Sequence, residues 1–382
     1  MARPRTFNVR KPLVKLFSEN RIENLVRETG AVKRKRKVKI AVLFWSVVLG
    51  FGTGRERSIS GIRRSYEKTT GQRIEESSFY DRFTAGFVKL LKKMVTTTIS
   101  EFPGMGRSLR GTLSQFSDLV ITDGTIMKLH DMLARNFPGV RTNHSPASLK
   151  MHAVISVTGK GDSSIKLTPG RRHDGPVFRV GSWVKEKLLL FDLGYYRYQL
   201  FSCISRSGGF FVSRLKSFSD LEIVEVNRTC HGRSIALVGE RIQTIVDSLK
   251  REVIDVMVDV PYRKRPYAGS RRCATQRLRV VGVLNQDANC YHLFITNIPP
   301  DSLSAEEIAN VYAARWEIEL LFRELKSQYR LADLPSRKKH VVEALVYASI
   351  LTLIASRTPL AVKGTLPRYG MTFQVLSPKN DF

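Results

Sequence analysis

Two aspartates stand at the ends of short apolar runs. Asp123 follows the run at 119–122, and Asp192 follows the run at 188–191. Each run has the length and composition of a buried strand, so each acid lies where a strand leaves the core. Taken singly, an acid at a strand end is also a common turn-forming residue. Two such acids on neighbouring strands would instead bring two carboxylates to one edge of a sheet.

A third acid, Glu319, lies in a predicted helix. Ser304 and Glu307 have the spacing of a capping box, which predicts that this helix begins at Ser304. At 100° per residue, four polar residues fall within about 60° of one another on the helix. They are Tyr312, Arg315, Glu319 and Lys326. An apolar face beside them would pack on the sheet and bring Glu319 toward the strand ends. The alternative is a solvated stripe with ion pairs such as Arg315 with Glu319.

Three carboxylates brought together repel one another unless cations neutralise them. Ligands that are all oxygen select hard Mg²⁺ or Mn²⁺ rather than zinc. Two such ions, about 3.5–4 Å apart, can stabilise the attacking and leaving oxygens of a phosphoryl displacement. Arg315 and Lys326 would then hold DNA phosphates beside the ions, and Tyr312 could donate to a phosphate oxygen. The three acids therefore predict metal-dependent phosphodiester chemistry.

The net charge independently indicates a polyanionic partner. The 382 residues include 63 Lys and Arg against 34 Asp and Glu, a formal charge of +29. Nucleic acid is the usual partner for such a surface, since each phosphate contact releases counterions. The longest apolar stretches, 40–51 and 344–356, are too short to span a membrane, and no signal peptide is evident. We therefore expect a cytoplasmic, nucleoid-associated protein with no membrane contact.

Basic clusters suggest where DNA would bind. The first 40 residues contain 13 Lys and Arg, including the run Lys33, Arg34, Lys35 and Arg36. A second cluster, Arg263, Lys264 and Arg265, is flanked by tyrosines, a pattern that can grip a backbone and stack on a base. A solvated helix face and an ordinary hairpin tip remain the alternatives for the two clusters.

The elements that must position these residues change along the chain. Residues 40–102 show helical spacing, with Phe83, Phe87 and Leu91 on one face and basic residues on the other, and Ser77 or Ser78 as a predicted N-cap. Strand-like runs at 119–121, 151–157, 165–167 and 188–191 follow, with a predicted helix at 176–187 before the last. A short helix and Gly turn at 198–210 would lead into a strand at 211–213. Further strand-like runs lie at 221–226, 253–260, 278–284 and 291–298.

The spacing of Tyr312, Arg315, Glu319 and Lys326 resembles in full the Tyr-Arg-Glu-Lys signature of insertion-sequence DDE transposases. The segments at 122–125 and 191–195 are similar to that family's first and second catalytic Asp motifs. The likeness covers roughly residues 40–356.

The resemblance implies an α/β fold with an RNase H-like mixed sheet flanked by helices, a β-rich insertion and an N-terminal helical DNA-binding domain. The expected segments are a basic arm and helical domain at 1–105, catalytic parts at 115–216 and 301–356, the insertion at 217–300 and a tail at 357–382. It further implies that Asp123, Asp192 and Glu319 are catalytic metal ligands. Tyr312, Arg315 and Lys326 would contact phosphates at transposon ends, and the protein would form a homodimer on DNA.

Several alternatives remain open from the sequence. Trp316 could stack on an extruded base, although a core position is favoured. His152 and the cluster at 171–174 could contact DNA or support the site, with ordinary hydrogen bonding favoured. The segment after Ser356 loses helical periodicity, so a truncated tail is expected. The activity expected is binding of terminal inverted repeats, phosphodiester hydrolysis and transfer to target DNA. The alternatives are a catalytically inactive DNA-binding relic or regulator and a structure-specific nuclease.

Overall fold

The computed structural model describes most of the chain. The described residues are 17–32, 39–52, 56, 58–100, 108–140, 145–159, 161, 163–217, 219–230, 233–234, 236–246, 251–264, 272–287, 290–329, 331 and 334–362. The basic run Lys33, Arg34, Lys35 and Arg36 and the turn residue Arg265 lie outside them, so their predicted DNA contacts stay predictions.

Helices make up the described part of the chain before residue 101. They are α1 Glu19–Thr29, α2 Ile40–Trp45, α3 Ile59–Thr70, α4 Glu76–Tyr80 and α5 Ala85–Ser100, with a π-helical turn at Ser46–Gly52 after α2. Local signals fix several ends. The Ser58 hydroxyl accepts a hydrogen bond from the Gly61 N–H at the start of α3, and Gly71 ends that helix with a left-handed φ of 68°.

Helix α5 is two-sided, as its sequence predicts. Phe87 and Leu91 are buried, whereas Lys89 and Lys92 are exposed on the other face. The predicted N-cap at Ser77 or Ser78 is wrong, because those residues lie inside the separate short helix α4. The Thr84 hydroxyl instead accepts a hydrogen bond from the Phe87 N–H, at 3.1 Å.

The rest of the described chain contains strands joined by short helices. The strands are β1 Asp118–Lys128, β2 Ser148–Ser156, β3 Ser164–Pro169, β4 Lys187–Phe191, β5 Phe210–Arg214, β6 Ile223–Val226, β7 Thr229–Cys230, β8 Arg233–Ser234, β9 Val253–Arg263, β10 Cys273–Asn285 and β11 Cys290–Thr296. The helices among and after them are α6 Tyr198–Arg206, α7 Ile242–Val246, α8 Ala305–Ala313, α9 Trp316–Ser327 and α10 Lys339–Val362.

Nine of these strands form one mixed sheet within the described residues, in the order β3-β2-β1-β4-β5-β11-β10-β9-β6. The pairs β1 with β4 and β4 with β5 are parallel, and the other neighbours are antiparallel. The predicted α/β class with a mixed sheet flanked by helices is therefore confirmed. The strands β9, β10 and β11 lie in the same sheet as β1.

Both faces of the sheet are covered. Along β4, Leu188 and Leu190 belong to an apolar cluster shared with the helices α1 to α5 and α8 to α10. Leu189 and Phe191 belong to a second cluster on the opposite face. This alternation follows from the period of two along a strand. Because both faces are buried, the run at 188–191 is continuously apolar, as expected for a central parallel strand.

Two helix predictions are wrong. The stretch 176–187 contains only the 3-10 turn Ser182–Val184, because Gly181 takes an extended conformation with φ −152° that interrupts a helix. The helix predicted from Ser304 begins there with a complete capping box, but it divides into α8 and α9. At the division the Arg315 N–H donates to the Tyr312 carbonyl three residues back, which tightens the turn there.

Helix α10 runs beyond the predicted loss of periodicity at Ser356 and ends at Val362. It packs against α5 and the π-helical turn, and the Thr352 hydroxyl lies 3.0 Å from the carbonyl oxygen of Val48. The first and last described helices thus share one core. No described helix is long and apolar enough to cross a membrane.

Candidate active site

The two candidate aspartates lie side by side on inner strands, at the edge where the parallel pairing of β1 and β4 ends. The parallel register pairs Thr122 of β1 with Phe191 of β4, so Asp123 and Asp192 are the next residues on adjacent strands. Strand β1 continues through Asp123, whereas β4 ends before Asp192 and a 3-10 turn begins there. The edge beyond the carboxyl ends of parallel strands is where open α/β sheets bind ligands.

The third acid reaches the same edge through an arginine. One Arg315 nitrogen lies 3.0 Å from Oδ2 of Asp123, and the other terminal nitrogen lies 2.5 Å from Oε1 of Glu319. The Arg315 and Asp123 side chains are 13% and 12% exposed, and Glu319 is 32% exposed. The ion pair expected between Arg315 and Glu319 is therefore present, and it is tied to Asp123 rather than solvated.

Burial and neighbouring charges together set the pKa of Asp123. Burial raises the pKa of Asp123 from its ordinary 3.8 to about 6, and the negative charges of Asp192 and Glu319 add to this rise. The Gly124 N–H, which donates to Oδ1 at 2.7 Å, and the Arg315 guanidinium oppose it. The site therefore concentrates negative charge that one arginine neutralises only in part.

Tyr312 lies below this edge rather than on an exposed stripe. Its side chain is buried, and its hydroxyl donates to the carbonyl oxygen of Phe191 at 3.1 Å. Burial raises the pKa of Tyr312 to about 12, so the hydroxyl stays protonated at neutral pH. Because α8 ends at Ala313, Tyr312 and Arg315 do not share one helix, and the single four-residue stripe predicted from the sequence is wrong in that respect.

Lys326, the last residue of the predicted signature, and Trp316 have different environments on α9. Lys326 is partly buried on α9, and burial lowers its pKa. Trp316 is 47% exposed, so the favoured core position for this tryptophan is wrong. The Arg323 guanidinium lies 5.6 Å from the centre of the Trp316 ring. Even with this contact, much of the ring remains in solvent.

The second basic cluster is exposed at the end of a long strand. Arg263 is the last residue of β9 and Lys264 follows it, and both are exposed. The Gln199 side-chain amide donates to the Arg263 carbonyl at 2.8 Å, which ties this strand end to α6. A hairpin tip of the kind considered from the sequence is consistent with the Lys264 N–H donating to the Arg272 carbonyl at 3.0 Å.

A partly buried carboxylate, Asp174, lies beside the segments that carry the two aspartates, although the sequence favoured only ordinary hydrogen bonding for it. Asp174, in the loop between β3 and β4, lies 2.5 Å from Nζ of Lys150 and 3.0 Å from Nδ1 of His152. Lys150 was not singled out at all. Lys150 lies just before the run predicted as a strand at 151–157, but strand β2 begins at Ser148. The spacing of Lys150 and His152 by two residues therefore places both on one face of β2.

The acidic residues supply the donor atoms that a hard divalent ion requires. Asp123, Asp192 and Glu319 offer only carboxylate oxygens, and two of them converge on a single cation, Arg315. Within the described ranges, no group of three or more His, Cys, Asp or Glu side chains is drawn together closely enough to hold a metal ion. The donor chemistry thus fits a divalent ion, with Arg315 as the present counter-charge to Asp123 and Glu319.

The fold and the site define an α/β protein with one acid on β1, a second just after the end of the adjacent parallel strand β4 and a third on helix α9. The chain belongs to the transposase DDE domain family, whose sequence profile matches residues 114–355. Members of this family are transposases, enzymes that act on DNA. The match includes every strand of the sheet and helices α6 to α9.

Curated relatives extend over nearly the whole chain. The transposase for insertion sequence element IS1151 of Clostridium perfringens is 20% identical over 380 residues, which cover 91% of this chain and 79% of the relative. Those of IS231E and IS231B, from Bacillus thuringiensis subspecies finitimus and berliner, are each 21% identical. They cover 87% and 90% of this chain and 75% and 78% of their own lengths.

Proposed function

We propose that the chain is the DNA transposase of an insertion sequence, which binds the element's ends, hydrolyses phosphodiester bonds and transfers the freed strand to target DNA. Asp123, Asp192 and Glu319 are its metal ligands. The observation that carries this proposal is the meeting of Asp123 and Glu319 on Arg315, beside Asp192 on the adjacent parallel strand. The sheet order β3-β2-β1-β4-β5, with its parallel centre, supports an RNase H-like catalytic domain.

The reaction has two steps at phosphorus. In the first, a water oxygen bonds to phosphorus, the bond to the 3′ oxygen breaks, and the proton goes to that 3′ oxygen. In the second, the oxygen of the freed 3′-hydroxyl bonds to a phosphorus of target DNA, the bond from that phosphorus to the target's own 3′ oxygen breaks, and the hydroxyl proton goes to the leaving 3′ oxygen. Bound Mg²⁺ or Mn²⁺, as two ions, supplies Lewis-acid stabilisation of the attacking and leaving oxygens.

The chain's own residues orient the acids and the DNA. Tyr312 holds the Phe191 carbonyl and thereby fixes the backbone that presents Asp192. Arg315 holds Asp123 and Glu319 in reach of each other, and its charge is available to a phosphate when cations take over the carboxylates. Lys326 adds a second cation on the same helix as Glu319, and the half-exposed ring of Trp316 offers a surface on which a base can stack.

DNA affinity comes from other parts of the chain. We assign residues 1–105 to a DNA-binding domain, supported by the exposed Lys89 and Lys92 on α5 and by the charge of +29. Arg263, Lys264 and Arg265 in the segment 217–300 add contacts to the backbone. The assembled form on paired ends is a homodimer. Terminal inverted repeats and target DNA are the two substrates.

The test is cleavage of a supercoiled plasmid that carries the gene's own flanking DNA, in Mg²⁺ or Mn²⁺. The wild type is compared with Glu319→Gln and with the matched control Glu317→Gln, which removes an acid from the same helical turn. We expect metal-dependent breaks at the flanks from the wild type and the control, and none from Glu319→Gln. All three proteins are expected to retain binding to the flanking DNA in a gel-shift assay at fixed salt.

Two results would overturn the proposal. Specific binding by the wild type without any breaks would assign the chain to an inactive DNA-binding relic or regulator. Breaks without preference for the flanking DNA over random DNA would assign it to a structure-specific nuclease.

A further inference from the structure

Asp174 is packed between the two segments that carry the candidate metal ligands. A methyl carbon built on Gly124, next to Asp123, would lie 2.8 Å from Oδ1 of Asp174. One built on Gly194, two residues after Asp192, would lie 2.9 Å from Oδ2. Neither glycine has a positive φ, so close approach of the Asp174 carboxylate, and not backbone conformation, accounts for glycine at both positions.

Two side chains, Lys150 and His152, hold this carboxylate from the far side. Lys150 lies 2.5 Å from Oδ2, and Nδ1 of His152 lies 3.0 Å from Oδ1. His152 is 4% exposed, and its Nε2 lies 2.8 Å from the Thr168 hydroxyl, so both ring nitrogens have polar neighbours. The β1–β2 register places His152 directly opposite Gly124. Contacts with Lys150 and His152 therefore hold the Asp174 carboxylate in one position.

Charge keeps the carboxylate ionised there. Burial alone would raise the pKa of Asp174, but His152 and Lys150 outweigh burial and hold it below its ordinary value. An ionised, immobile group is suited to fixing the distance between two chain segments. The loop that carries it is itself tied down, since the Val177 N–H donates to the Asp174 carbonyl at 2.9 Å.

We propose that Asp174 is a positioning residue whose carboxylate, fixed by Lys150 and His152, sets the separation of the Asp123–Gly124 and Asp192–Gly194 segments. It thereby sets the spacing of the carboxylates that bind the divalent ion. This inference rests on the proposed function. Groups that orient metal ligands through contacts of this kind typically change metal affinity about 10- to 100-fold when they are removed.

A purely structural ion pair and a positioning residue predict different results. Loss of a structural pair lowers the unfolding free energy and leaves the metal affinity of the folded protein unchanged. Loss of a positioning residue weakens metal binding in protein that is still folded and still binds DNA. Affinity for Mn²⁺, measured separately from cleavage, distinguishes the two.

The experiment uses the full chain, freed of metal by chelation, and follows free Mn²⁺ by electron paramagnetic resonance during titration. Asp174→Asn keeps the side-chain shape and removes the charge. Its matched control is Asp118→Asn, which changes a buried acid at the other end of β1 whose Oδ1 accepts from Thr158. We expect Mn²⁺ affinity about 10- to 100-fold weaker in Asp174→Asn, wild-type affinity in Asp118→Asn, and unchanged DNA binding in both.

A second variant keeps the inference testable if Asp174→Asn does not fold. Lys150→Gln leaves the carboxylate in place but frees it from one partner, and weaker Mn²⁺ binding is expected again. Folded Asp174→Asn, or folded Lys150→Gln in its place, with wild-type Mn²⁺ affinity would overturn the positioning role alone. A wild type that neither binds Mn²⁺ nor cuts DNA would overturn the proposed function, and the inference with it.

Discussion

Arg315 and Asp123 lie in hydrogen-bonding contact at 3.0 Å although 192 residues separate them in the chain. This contact joins the first strand of the sheet to the turn between α8 and α9. The same guanidinium also binds Glu319, so one side chain holds together acids that would otherwise repel each other.

Removal of this arginine has a pH-dependent cost. In Arg315→Gln, two partly buried carboxylates lose their common cation, and we expect a loss of about 1–3 kcal/mol in the free energy of unfolding at pH 8. The loss is smaller at pH 5, where Asp123 with its raised pKa is largely protonated. Urea denaturation at both pH values measures it. Arg323→Gln, an exposed change on the same helix, is the control, and an equal loss at both pH values would contradict this account.

Asp123 makes stability depend on pH in the opposite sense to an acid whose pKa is lowered on folding, because burial outweighs its ion pair with Arg315. Its pKa in the folded chain is raised from 3.8 to about 6, so its contribution is most favourable below pH 4 and is lost as pH rises through 6. A shift of about two pH units corresponds to about 3 kcal/mol. The unfolding free energy of Asp123→Asn, relative to wild type, is therefore expected to rise by about that amount between pH 4 and pH 7. A flat difference would show that Asp123 has an ordinary pKa.

A second buried ion pair stabilises the other half of the sheet. Arg279 is 1% exposed and binds both oxygens of Asp255, at 2.8 and 2.6 Å. Arg279→Met leaves a buried charge without its partner, so we expect a loss of about 3–5 kcal/mol in unfolding free energy. The control is Arg277→Met on the same strand, whose partner Asp259 is exposed. Its loss of unfolding free energy is expected to be much smaller, because solvent screens an exposed pair. Similar urea midpoints for the two variants would contradict the expectation that removing the buried pair costs more stability than removing the exposed pair.

Trp316 offers a test that separates DNA contact from folding. Since its ring is 47% exposed, Trp316→Ala is expected to change the unfolding free energy by about 0.5 kcal/mol or less. Binding to DNA with an unpaired base near the cut site is expected to weaken by about 1–3 kcal/mol, the usual value of one stacked base. Competition between such DNA and fully paired DNA gives the answer. Equal weakening for both would indicate a backbone contact in place of stacking.

Local signals predicted the site's parts better than their assembly. The apolar run at 188–191 correctly placed Asp192 just after a buried strand. The run at 119–122 also marked a buried strand, but the placement of Asp123 at its end is wrong, because β1 continues to Lys128. The capping box at Ser304 likewise predicted a helix start. The break at Arg315 could not be predicted, since a tightened turn depends on where the sheet and Tyr312 hold the chain. Burial of Tyr312 follows from the same tertiary contact.

The surroundings of Asp174 show a second limit to what the sequence predicts. Its partners Lys150 and His152 come from another strand, and only the sheet register reveals that His152 faces Gly124. A period of two predicted which residues share a face but not which strand lies next to it. The exposed Trp316 was missed for a related reason, because a helix face can be assigned to the core only when the packing partner is known.

The hydrogen bond between Thr352 and Val48 spans 304 positions of the chain. Because α10 completes the apolar core around the π-helical turn, that surface stays open on the ribosome until α10 has been synthesised. The helices before residue 101 thus reach their final packing only after the sheet between them and α10 has been translated. Such long-range closure slows folding, and the emerging chain depends on α10 to cover this apolar surface against aggregation.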